Sequence, residues 1–208
     1  MTRPAPRRRR TQAGFTLIEV LITIFVAAIG LLAVAGLQAI SKKFNYDAVQ
    51  RTSASTLAQS MIESLRSNPG FLDAYLTSDA TTATAAVDCA APDAQCTPLE
   101  IAAYDVYRWG QALLGAEAQI DGEDAGGLVD ATGCIQAGDV AGLYLVVVAW
   151  RGITGLADPG TDDPADDPRR NACGLGLGRY DDPQHSGSDE RLRRVIVLEA
   201  FVADPNAP

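Results

Sequence analysis

Glu19 is the only charged side chain in residues 15–40, a run otherwise made of uncharged and mostly apolar residues. A carboxylate held in hydrocarbon costs about 2.5–3.5 kcal/mol on insertion scales, so it needs a cationic partner or a task. The other residues that could do chemistry are few. There are four cysteines (Cys89, Cys96, Cys134 and Cys173) and one histidine, His185. No pair of cysteines has the CxxC spacing, and a structural zinc site needs four closely spaced ligands. All four lie beyond the apolar run, which fits two disulfides in an oxidising compartment; four buried reduced thiols would require a cytosolic body. No cysteine has an activating setting and no GxSxG occurs, so the sequence shows no catalytic constellation. Gly174, Gly176 and Gly178 form a glycine run, but Arg179-Tyr180 follows it instead of a helix, so the phosphate-cradle reading fails its context test. We expect neither enzyme activity nor a cofactor nor a metal.

The elements that position Glu19 are plain in the sequence. As a helix, residues 15–40 run about 39 Å, enough to cross the hydrocarbon core. The first fourteen residues hold five arginines (Arg3, Arg7, Arg8, Arg9, Arg10) and no acid. Arginines just before such a span predict a cytoplasmic N-terminus and a periplasmic body. The net charge is −9, and residues 15–208 alone carry −14. Such a body repels nucleic acid, and the basic flank reads as a targeting segment. An ordinary cleaved signal peptide is the simplest rival, because Ala33-Val34-Ala35 precedes Gly36 in a small-x-small pattern. Glu19 argues against it, since such a peptide is wholly apolar there.

Gly14-Phe15-Thr16-Leu17-Ile18-Glu19-Val20 resembles the class III signal of type IV prepilins and secretion pseudopilins. The resemblance implies that a membrane prepilin peptidase/methyltransferase cuts between Gly14 and Phe15 and methylates the new Phe15 amine. Glycine at the cut admits the backbone to a cleft without a side chain. The amine would lie four residues before Glu19, placed to neutralise it in the same chain or in a neighbouring subunit. Glu19 is then the residue for subunit assembly. Gly30 and Gly36, inside the span, serve either close helix packing or a point of bending on assembly.

Beyond residue 40 the pattern becomes amphipathic. Ala54, Leu57, Ala58, Met61, Ile62 and Leu65 recur at three- and four-residue steps, predicting one buried helical face. Ser67-Asn68-Pro69-Gly70 ends the run. The chain divides into a leader (1–14), a transmembrane or filament-core helix (15–40), its amphipathic continuation (41–66) and a periplasmic domain (67–208). Thr97, Pro98 and Glu100 predict a capped second helix running on to Ile120. Its inner face would hold Ala102, Asp105 or Val106, Trp109, Ala112, Leu113 and Ala116, with Trp109 as a core anchor. Residues 134–136 make a short candidate strand. Residues 143–150 and 194–202 are nearly continuous apolar runs, read as central strands covered on both faces.

Residues 152–191 form a long acidic connection rich in Gly, Pro and Asp, either functional or poorly ordered. The Asp spacing of 158–168 is not that of an EF-hand and prolines interrupt it, so it reads as a solvated loop, as does His185. Cys173 would most simply pin the connection to Cys134, leaving Cys89 with Cys96. Three pairings are possible in principle.

The arrangement is similar to the minor-pilin family PilV, the type IV pilus modification proteins. The likeness is carried by residues 29–32, 35–38, 57–69, 105–109 and 148–152 and by the arginine-led final strand. It is tight over residues 14–69 and weakest over 152–191. It implies an α+β pilin-like fold, a long N-terminal helix packed on a small antiparallel sheet with a second helix. It also implies a low-abundance subunit that starts pilus assembly at the inner membrane and sits near the tip, with effects on adhesion, twitching motility or DNA uptake. Its partners would be other minor pilins, the major pilin, the inner-membrane assembly platform and membrane lipid, with no direct nucleic-acid contact. A minor pseudopilin of a type II secretion system is the nearest alternative, and a signal-anchored periplasmic binding protein or enzyme the next.

Overall fold

The computed structural model describes residues 14–116, 119–120, 122–124, 126–157, 167–184 and 190–203. Two units are distinguished, residues 1–44 and 45–208. In the first, every described residue is exposed. The helix α1 spans Leu17–Ser67, within two residues of the expected bounds, and an 18-residue window near its start is apolar enough to cross a membrane.

In the second unit α1 becomes a core element. Its buried residues are Gln50, Ala54, Ala58, Met61, Ile62 and Leu65, the three- and four-residue spacing of one helical face. Gln50 is fastened by its amide, which donates to the Gly127 carbonyl at 3.4 Å and accepts from Val129 N–H at 3.2 Å. Pro69 opens the 3-10 segment Pro69–Tyr75 that follows α1.

The second helix, α2, spans Pro98–Leu114. The capping box is present: Thr97 Oγ1 accepts from Glu100 N–H, and the Glu100 carboxylate accepts from Thr97 N–H. The helix stops six residues short of the expected Ile120. Gly115 adopts φ 84°, a left-handed turn that ends a helix at little cost only with glycine. Strand β1, Gln119–Ile120, instead pairs antiparallel with β2, Glu123–Asp124. On α2 it is Val106, not Asp105, that lies buried in the core beside Ala102, Trp109 and Leu113.

The main sheet holds β3 (Thr132–Ala137), β4 (Leu143–Arg151) and β5 (Arg193–Phe201), antiparallel in that order. Register places Cys134 opposite Val147 and Val147 opposite Val197. Only β4 is central. Contrary to the sequence reading, β5 pairs on one side alone among the described residues, and its middle is half-buried. A continuous apolar run does not distinguish a central strand from an edge strand whose two faces are both partly covered.

Ile135, Tyr144, Val146, Val148, Trp150 and Ala200 share one face and join the core built by α1 and α2. Gly133 makes that contact close: a Cβ there would lie 2.4 Å from Leu113 Cδ1 and 2.7 Å from the Trp109 ring. The other face presents Cys134 and Val147, and Cys173 packs on them. Within the described stretch 167–184, Cys173 and Tyr180 are buried, Cys173 against this face of the sheet.

Candidate functional site

Just before α1, Gly14 and Phe15 are exposed, Phe15 at 83%. Among the described residues, Thr16 is the first whose side chain makes a hydrogen bond. Its hydroxyl accepts from Glu19 N–H at 3.3 Å, and its carbonyl accepts from Glu19 N–H at 3.1 Å and from Val20 N–H at 3.3 Å. Thr16-Leu17-Ile18-Glu19 therefore has the threonine-to-glutamate spacing of a capping box, with the threonine half formed. The sequence reading found that pattern at Thr97–Glu100 and missed it here, although the spacing is identical. Glu19 occupies the first turn of α1, where the unsatisfied N–H groups and the helix dipole favour a negative charge. A single short segment thus holds an exposed backbone at Gly14-Phe15, a cap at Thr16 and a carboxylate one helical turn from residue 15. From residue 17 to residue 40 most of the exposed large side chains are apolar, including Leu17, Ile18, Ile24, Phe25, Leu31 and Leu32, with Glu19 the one charge among them.

The cysteines are remote from that segment in sequence and lie in the other unit. Cys89 is bonded to Cys96, and Cys134 to Cys173. The first bridge closes a loop next to the α2 cap. Beside it the Tyr104 hydroxyl bonds to Asp88 and holds that carboxyl below the usual range. The second bridge ties the connection 167–184 to β3.

Other groups fasten the same connection. Tyr180 is wholly buried, its hydroxyl 2.8 Å from Thr132 Oγ1 and donating to the Asp130 carbonyl at 3.0 Å. Arg179 donates to the Ala131 carbonyl and to Thr132 Oγ1, and pairs with Asp79 at 3.3 Å. Arg193, 7% exposed, donates to the carbonyls of Arg169, Asn171 and Cys173.

The glycine run has positive φ at Gly174, Gly176 and Gly178, and Gly176 N–H donates to the Glu190 carboxylate. It does receive an anion, but the anion is the chain's own side chain. Residues 158–166 and His185 lie outside the described residues, as do the leader arginines.

Comparison with known families gives two matches that adjoin within α1. Residues 9–35 match a family model described as a prokaryotic N-terminal methylation motif. The adjoining residues 36–107 match one described as type IV pilin Tt1218. No curated protein and no solved structure matches the chain at a significant level. Together with the long helix and the small antiparallel sheet, the two matches support a type IV pilin, a class of structural subunit. A prepilin motif of this kind implies processing by the prepilin peptidase and assembly with other pilins.

Proposed function

We propose that this chain is a minor pilin of the PilV kind, cut between Gly14 and Phe15, methylated at Phe15, and assembled through Glu19. The observation that carries the reading is the capped turn Thr16–Glu19 at the head of a helix whose first part is exposed and apolar. In the membrane, residues 15–40 hold the subunit with its N-terminus in the cytoplasm and residues 67–208 in the periplasm. Residues 1–14 are the leader that the peptidase removes, and 41–66 join the span to the domain. On entry into a fibre, the Glu19 carboxylate of an incoming subunit meets a Phe15 amine. That ion pair offsets much of the cost of a lone carboxylate in an apolar packing core. Acting with other minor pilins and the assembly platform, the subunit starts fibres of the major pilin and remains near the tip.

The test is to read the N-terminus of the mature protein by mass spectrometry, then to look for the subunit in sheared fibres. A chain starting at N-methyl-Phe15 and present in pili at low copy supports the proposal. A start at Gly36 would mean an ordinary exported protein. An N-methyl-Phe15 chain found with a secretion pseudopilus instead would leave the processing intact and overturn the pilus assignment.

A further inference from the structure

Lys42 and Lys43 are the only lysines in the chain; the other fifteen basic residues are all arginine. They are adjacent, they follow the apolar span at once, and both are exposed, as is the neighbouring Phe44 at 69%. Between Glu19 and Asp47 the sequence contains no acid. Among the described residues neither lysine has a carboxylate partner. This segment therefore carries two positive charges in a body that is otherwise strongly acidic.

We infer that Lys42 and Lys43 form a binding site for anionic phospholipid headgroups, which holds the precursor at the exit of its membrane span. The inference rests on the proposed membrane reading of residues 15–40. From Leu17 to Ile40 a helix rises about 36 Å, slightly more than the roughly 30 Å hydrocarbon core, so residues 42 and 43 fall at headgroup depth. Consecutive residues point about 100° apart around a helix, so the two ammonium groups reach different phosphates. Lysine suits this position: its apolar stem lies along the acyl boundary while the ammonium extends to the phosphate layer. Phe44 keeps the same turn in contact with the apolar side. Each basic residue near an anionic surface strengthens attraction about five-fold, by an amount that salt screens.

Because no other lysine exists, a neutral amine-reactive label reports on this site and the N-terminal amine alone, and peptide mass spectrometry separates the two. The full-length chain is placed in nanodiscs of phosphatidylcholine, with or without one quarter phosphatidylglycerol, and the labelling rate of Lys42 and Lys43 is followed. We expect phosphatidylglycerol to slow it about five-fold, with recovery at high salt. A Lys42→Gln/Lys43→Gln/Arg66→Lys variant moves the reporter to an exposed site on the second unit, where lipid charge should not matter. Equal slowing there would overturn the inference as a general surface effect. Protease protection of residues 17–40 is scored in the same discs. If the span is protected and lysine labelling ignores lipid charge, the lysine site is wrong. If the span itself is digested, the membrane reading fails and the site with it.

Discussion

The indole Nε1 of Trp109, on α2, donates a 2.8 Å hydrogen bond to the main-chain carbonyl of Leu57, in the C-terminal part of α1. Trp109 is 4% exposed and belongs to the same apolar cluster as Met61 and Val148. Trp109→Phe keeps most of the ring and removes the donor, and it should cost about 1 kcal/mol. Trp109→Ala should cost about 3–5 kcal/mol, since it empties the contact between α2 and the sheet. Chemical denaturation followed by circular dichroism checks both, and equal losses would show that the hydrogen bond, not the packing, dominates.

Two glycines let α2 approach its neighbours, and they should differ in tolerance. A Cβ at Gly110 would lie 2.0 Å from the Ala80 carbonyl oxygen, whereas at Gly133 the obstacles are the ends of the Leu113 and Trp109 side chains. Side-chain ends can shift and backbone cannot do so locally. Gly133→Ala should cost about 1–3 kcal/mol, the usual range for overpacking, and Gly110→Ala more. Melting temperatures of the two variants, compared side by side, decide the order.

The two disulfides should contribute unequally. The Cys134–Cys173 bridge has a sequence separation of 39 and Cys89–Cys96 one of 7. Chain-entropy arguments assign about 4 kcal/mol to the longer loop and about 2.5 kcal/mol to the shorter. Cys134→Ala/Cys173→Ala should also loosen the connection around Tyr180, giving faster hydrogen exchange over residues 171–181. Cys89→Ala/Cys96→Ala should leave that segment protected.

Stability should fall at high pH. Burial pushes the hydroxyls of Tyr75 and Tyr180 above the usual tyrosine range; at Tyr75 the neighbouring Asp105 carboxylate raises it further. In the unfolded chain both ionise near pH 10. Above that pH the folded state binds more protons than the unfolded one, so its stability is full below about pH 10 and declines as pH rises. Thermal melts between pH 8 and 11 should show this slope. Tyr75→Phe should flatten it while lowering stability at neutral pH, because the 2.8 Å bond to Asp105 is lost.

Glu19→Ala should leave membrane insertion intact or improve it, since it removes a charge from the span. Its incorporation into fibres should nevertheless drop sharply. Normal incorporation, measured in sheared pili, would sink the proposed role. A bulky residue in place of Gly14 should block processing, leaving a precursor that retains residues 1–14.

What the sequence determined by itself is the local part. The apolar run and the 54-57-58-61-62-65 spacing specify α1, since helical periodicity and a transmembrane length are properties of one segment. Thr97 and Glu100 specify the start of α2 because a capping box spans four residues, and the 143–150 and 194–202 runs mark two strands. The Thr16–Glu19 cap is equally local, and its spacing stood in the sequence although the reading passed over it. Only the tertiary structure decided that α2 stops at Gly115, that β5 is an edge, which of three cysteine pairings forms, and that residues 167–184 cover the second face of the sheet. That cover left little trace in sequence because Arg193, Tyr180 and Arg179 fasten it largely through backbone carbonyls. Every residue type supplies the same carbonyl acceptor, so such contacts impose no pattern on the residues they hold.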